Sequence, residues 1–188
     1  DHDRYLRMID RAALRCVTLG EEYNDQRNYD LDFFMLFKIW RGLQKYKSDY
    51  GKVSFTDMIS GYVKQGSAPK LEILIVDEAQ DLVPLQWKMV EVLAQNSDKT
   101  YFAGDDDQAI HRWAGVDVNL FMNCSQNVRT LKKSYRLPRS AYDLANSVVK
   151  RIHNRKQKAF DPMDREGTVN FHMDTYNLDM SQGSWTLM

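Results

Sequence analysis

Apolar residues recur at helical spacing through the first third of the chain, and then the period changes. Leu6, Ile9, Ala13 and Cys16 share one face across residues 4–19, and Phe33, Phe37, Trp40 and Leu43 do so across 31–47. In the segment VSFTDMISGYVKQG, Phe55, Met58, Ile59 and Tyr62 form a third stripe. Each pattern predicts an amphipathic helix. Gly20 is a candidate stop for the first, and Ser54 and Asp57 stand at capping-box spacing ahead of the third. Gly66, Ser67 and Pro69 end it. These aromatic stripes read as packing surface rather than a ligand site.

From Leu71 the run Leu71, Ile73, Leu74, Ile75, Val76 is nearly continuous. That pattern predicts a strand buried on both faces of a parallel sheet. Pro84 to Gln95 predicts a helix with proline in its first turn. Thr100 to Ala103 is a second short strand, Val128 to Leu131 a third, and Ser140 to His153 a helix carrying Tyr142, Leu144, Ala145 and Val148. Thr168 to Phe171 and Trp185 to Met188 are weaker strand candidates. Alternating strands and helices behind a helical segment define an α/β class with a parallel sheet.

Composition changes this picture only locally. Net charge is zero, so bulk charge makes no case for nucleic acid or an anionic membrane. Between residues 129 and 158, however, Arg129, Lys132, Lys133, Arg136, Arg139, Lys150, Arg151, Arg155, Lys156 and Lys158 face a single acid, Asp143. This is either a solvated helix face or a phosphate-facing strip. Cys16 and Cys124 lie far apart, in no metal-like spacing, which argues for a reducing compartment and against a zinc site. No apolar run approaches the roughly 20 residues of a membrane span. The expected setting is cytoplasmic, with no membrane partner.

The chemistry gathers at the strand ends. In open α/β sheets, ligands bind beyond the carboxyl ends of the strands, and Asp77-Glu78 follows the first strand directly. One such carboxylate can hold Mg²⁺ and a second can orient an attacking water for phosphoryl transfer. Asp81 can equally cap the helix that follows. Gly104-Asp105-Asp106-Asp107-Gln108 follows the second strand, and Gln108 offers an amide to a phosphate oxygen or a water. Trp113 either anchors its polar loop to the core or offers a platform for an unstacked base. In LKKSYRLP, Tyr135 can stack on adenine, and Arg136 carries a planar fork suited to a γ-phosphate.

DEAQD at 77–81, GDDDQAIHRWAG at 104–115 and LKKSYR at 131–136 resemble, in order and spacing, the Walker B, third and fourth motifs of superfamily 1 DNA helicases of the UvrD/Rep/PcrA type. VSFTDMI ahead of them resembles the approach these enzymes carry. The resemblance implies a partial RecA-like, P-loop NTPase-type parallel sheet. Residues 1–66 would be the helical insert of the first helicase domain, 67–160 a fragment of its ATPase core, and 161–188 the start of a second RecA-like domain. It also implies ATP and Mg²⁺ as cofactors, with single-stranded DNA and single/double-strand junctions as partners. The implied activity is 3′→5′ translocation with unwinding, in a bacterial or phage-infected cell. By motif position Asp77 would hold magnesium, helped by Glu78, which would also be the general base. Gln108 would sense the γ-phosphate, Tyr135 would contact adenine and Arg136 would face the phosphate. His111 and Trp113 would meet DNA.

Two departures stand out: Ala114 where the pattern carries arginine after the tryptophan, and His111 where a tyrosine often stands. A phosphate loop of the form G-x-x-x-x-G-K-[ST] is not present. Gly51-Lys52 is the one Gly-Lys pair, with Tyr46 at the first glycine position and Val53 after the lysine. The chain is therefore expected to be an internal piece that turns over no ATP alone. A helicase-nuclease of the RecB/AddA kind and an inactive DNA-binding module of helicase shape are the competing readings.

Overall fold

The computed structural model describes residues 2–25, 30–171 and 173. They divide into two units, one running to Asn127 and one starting at Val128. The first unit opens with α1 (His2–Arg15), α2 (Leu19–Asp25), α3 (Phe33–Tyr50) and α4 (Phe55–Gln65). The expected first helix is thus split. Cys16 adopts a left-handed φ of 57°, and Val17 N–H closes back on the Ala12 carbonyl. Thr18 and Glu21 then cap α2 reciprocally: Thr18 N donates to Glu21 Oε2 at 2.7 Å and Glu21 N to Thr18 Oγ1 at 3.2 Å. Gly20, expected as a stop, therefore lies inside the next helix.

α3 is capped by Asp32, which accepts from Met35 N at 2.6 Å, and ends at left-handed Gly51. The capping box at Ser54 and Asp57 forms as expected. Burial would push the Asp57 carboxyl up, but Lys47 at 2.6 Å and the Ser54 donors outweigh it and hold the carboxyl below its ordinary value. Met8, Ile9, Leu31 and Leu36 form the helical core, with Tyr5, Tyr23, Ile39 and Trp40 against it. Glu22 is fully buried, bridged by Arg11 at 2.8 Å and Arg15 at 2.5 Å. An isolated carboxylate at that depth would be strongly destabilising; two guanidiniums sharing it make the position tenable.

β1 (Leu71–Val76) and β2 (Ser97–Phe102) pair in parallel through α5 (Pro84–Gln95), with Ile75 opposite Tyr101 and Val76 opposite Phe102. The strand-helix-strand order follows the sequence pattern, and β2 begins three residues earlier than expected. Burial on both faces is not observed. Phe102 packs on Trp87 of α5 with ring centroids 5.4 Å apart, so the Val76–Phe102 face is covered. On the opposite face Ile73, Ile75 and Tyr101 are more than half exposed, because no described residue covers them. The continuous apolar run reflects two faces suited to packing, of which one is packed here. Nor does Asp81 cap α5: its N-cap is Val83, whose N–H is taken by Gln86 Oε1 at 3.0 Å.

After α6 (Val118–Asn123) the second unit begins. Residues 128–131 form no strand, and Val128 and Leu131 are exposed. Among the described residues, pairing lies two positions beyond the expected strand and amounts to an isolated parallel bridge, Lys133 to Asp161. α7 (Arg139–Val149) packs Tyr142 edge-on to Phe160 at 5.2 Å. Residues 168–171 are likewise not a strand, and 185–188 lie outside the described residues. The basic strip is partly neutralised within its own unit, since Lys133 pairs with Asp164 at 3.1 Å and Arg139 with Glu166 at 3.9 Å. Acids just beyond residue 158 supply the charge that a window ending there misses.

Candidate active site

Parallel pairing brings the ends of β1 and β2 side by side, and the acidic segments leave from those ends. Ala103 N donates to the Val76 carbonyl at 2.8 Å, and Ala79 N to the Ala103 carbonyl at 2.9 Å, so the ladder continues past both strands into the loops. Asp77 is exposed, and its Oδ1 accepts from Glu78 N at 2.9 Å. Glu78 has φ 49° and ψ 39°, in the left-handed region. For a non-glycine residue this costs roughly 1–3 kcal/mol, and such strain collects where a side chain must be aimed. Gln80 compensates. It is 2% exposed, and its Nε2 donates to Glu78 Oε2 at 2.8 Å and to Asp81 Oδ2 at 3.3 Å. Its Oε1 accepts from Asp105 N at 3.0 Å. One buried amide thus ties the first acidic segment to the second.

In the second segment Asp105 turns the chain, accepting from Asp107 N at 3.1 Å and from Gln108 Nε2 at 2.8 Å. The run of three acids is not a solvated turn, since Asp106 is buried and its neighbours half-buried. The structure therefore joins Glu78, Gln80, Asp105 and Gln108 in one hydrogen-bonded path, with Asp77 at its head. Sequence reasoning missed Gln80 as the connector. It also missed why Gly104 is glycine: a Cβ there would lie 2.3 Å from Gln80 Oε1 and 3.0 Å from the Phe121 ring. Gly104→Ala is expected to cost about 1–3 kcal/mol by overpacking, read by denaturant unfolding. The cost should shrink when Gln80 is also alanine. Equal costs in both backgrounds would show that Gln80 is not the obstacle.

Trp113 sits on a short turn, Arg112–Ala114, and is 74% exposed, so it does not anchor its loop to the core. Half-buried His111 meets it edge-on with centroids 6.1 Å apart. Gly115 closes the turn at φ 100°, and the space a side chain would need there is filled by Arg15, whose Cγ would be 2.8 Å from the new Cβ. The tryptophan loop is thereby seated on α1.

Tyr135 and Arg136 belong to the second unit and are both exposed. Ser134 Oγ accepts from Leu137 N at 3.1 Å while Ser134 N donates to the Asp161 carbonyl at 2.8 Å, which fixes the turn that presents them. Asp77 and Glu78 offer hard oxygen donors suited to Mg²⁺, an ion content with one or two carboxylates when phosphate oxygens and waters complete its shell. Among the described residues no group of three or more His, Cys, Asp or Glu forms a closed metal cage. The carboxylate pair fits the open kind of site.

Comparison with known proteins places the chain in a family. The UvrD/REP helicase N-terminal domain matches residues 16–129, more than half of the chain. The chain belongs to that family. It is 34% identical over 110 residues to the ATP-dependent DNA helicase PcrA of Leuconostoc citreum, covering 56% of this chain and 14% of that protein. Against PcrA of Bacillus subtilis (strain 168) the identity is 32% over 103 residues, covering 52% of this chain and 14% of the relative. The ATP-dependent DNA helicase Rep of Buchnera aphidicola is 30% identical over 101 residues, covering 50% and 15%. The chain thus spans about a seventh of the length of these relatives. No helix among the described residues is long and apolar enough to cross a membrane.

Proposed function

We propose that this chain is part of an ATP-driven motor that moves 3′→5′ on single-stranded DNA and opens duplex at single/double-strand junctions. The observation that carries the reading is the path Glu78–Gln80–Asp105–Gln108 at the shared edge of two parallel strands. It links a carboxylate able to activate water with an amide able to meet a phosphate, and it leads into the loop that exposes Trp113. The names of the relatives, ATP-dependent DNA helicases, support ATP as the fuel and DNA as the track.

In this reading the sheet is the partial core of a RecA-like domain. Asp77 holds Mg²⁺ with help from Glu78, Glu78 takes the proton of the attacking water, and Gln108 contacts the γ-phosphate. The ion's part is to neutralise phosphate charge. Tyr135 stacks on adenine and Arg136 stabilises the departing phosphoryl group. Turnover belongs to the parent protein, because this chain has no G-x-x-x-x-G-K-[ST] loop. Trp113 and His111 face the strand.

The DNA assignment is tested by Trp113→Ala in the parent protein. Loss of one base–aromatic stack should weaken oligothymidylate binding by about 1–3 kcal/mol, measured by fluorescence anisotropy at fixed salt. Because Trp113 is mostly exposed, protein stability should barely move. Undiminished affinity would remove Trp113 from the DNA path.

A further inference from the structure

Trp113 lines a cleft of about 200 Å³ together with Arg4, Arg7, Met8, Arg11, Glu22 and Leu31. Three of these are arginines of α1 at i, i+3 and i+7, a spacing that sets them on one helix face. They rise over about 10 Å of helix. Their charges are not equivalent. Arg11 is committed to buried Glu22 at 2.8 Å. Arg4 makes a long 3.7 Å contact with Asp30, whose side chain is itself mostly exposed. Arg7 is exposed and has no ion pair among the described residues. Glu22 does not make the cleft acidic, since Arg11 and Arg15 both neutralise it.

We propose that this cleft is a second subsite for single-stranded nucleic acid, where Arg7, assisted by Arg4, holds a backbone phosphate of the nucleotide stacked on Trp113. The inference rests on the DNA reading of Trp113 given above and extends the track onto α1. Three observations carry it. An exposed aromatic side chain and a guanidinium with no ion pair among the described residues line the same cleft. The Gly115–Arg15 contact seats the tryptophan loop on the very helix that bears the arginines. The Glu22 clamp fixes Arg11 and Arg15, so the helix face is preorganised and only the two outer arginines are left for a ligand. A planar aromatic beside cations is the usual composition of a single-strand groove.

The test uses the parent protein and a fluorescein-labelled oligothymidylate of about 16 nucleotides, titrated by anisotropy at several salt concentrations. Arg7→Gln should weaken binding about 3–10-fold and lower the magnitude of the log K against log salt slope by about 0.7, the loss of one phosphate contact. Arg7→Lys should keep the slope, because the charge remains. Unchanged melting in both variants would confirm that an exposed position was altered without damage to the fold. If Arg7→Gln leaves affinity and slope unchanged while Trp113→Ala weakens binding, the subsite is overturned and the stacking role stands. If neither variant changes binding, both fail. A loss of affinity at constant slope also overturns the proposal, since no phosphate contact would have been removed.

Discussion

Replacing Arg136 by alanine in the parent protein is expected to lower kcat for ATP hydrolysis by on the order of 10³–10⁵-fold, the largest single effect anticipated here. The physical reason is charge development. As the γ-phosphoryl group departs, negative charge spreads over oxygens that only a fixed, planar cation can meet at two points. Arg136 has the required freedom: it is exposed and makes no ion pair among the described residues. It also has the required support, because Ser134 holds the turn from within through Leu137 N and from outside through Asp161. A lysine keeps the charge and loses the fork, so Arg136→Lys should recover only a small part of the rate. Steady-state turnover with saturating ATP and single-stranded DNA reads the effect, and ATP binding measured separately should fall far less. A loss under tenfold would remove Arg136 from the phosphate.

How much of this could be read along the chain depended on the range of the interactions involved. The Ser54–Asp57 box, the Asp77-Glu78 pair at a strand end and the helix begun by Pro84 were legible because each is settled within a few residues. The break at Cys16 was not, because it needs a left-handed non-glycine residue, which sequence alone does not advertise. The Thr18–Glu21 spacing is a visible capping signal, but a helix expected across residues 4–19 overlaps its start and hides it. Strand faces were misjudged for another reason. Ile73 and Ile75 have the composition of core, but burial belongs to whatever packs on them, and no described residue does. Gln80 is the plainest case. Its meaning lies in a bond to Asp105, 25 residues away, and a glutamine between an alanine and an aspartate carries no local mark of it. The one hint was Gly104, a glycine at a strand end where backbone must pass close to something.

Glu78→Gln is the second large effect expected in the parent protein, a fall of about 10²–10⁴-fold in kcat, the range for loss of a positioned general base. What makes this substitution informative is the way Gln80 holds the side chain. The amide oxygen of the replacement can still accept from Gln80 Nε2, so the 2.8 Å contact and the path to Asp105 can persist while the basic carboxylate is lost. Nucleotide and DNA affinities should therefore stay near their original values while turnover collapses. Gln80→Ala makes the opposite cut: it leaves the carboxylate and removes its holder, along with the acceptor for Asp105 N. Gln80 is a positioning residue in this scheme, so its loss should lower turnover less than loss of Glu78. It should also blunt the stimulation of ATPase by DNA, because the loop bearing Gln108 and Trp113 is then no longer tied to the base. Should Glu78→Gln retain near-normal turnover, the water must be activated elsewhere, and the strained backbone at Glu78 would need another explanation. Should Gln80→Ala instead match Glu78→Gln in rate while binding both ligands normally, the amide would belong to the reacting groups themselves.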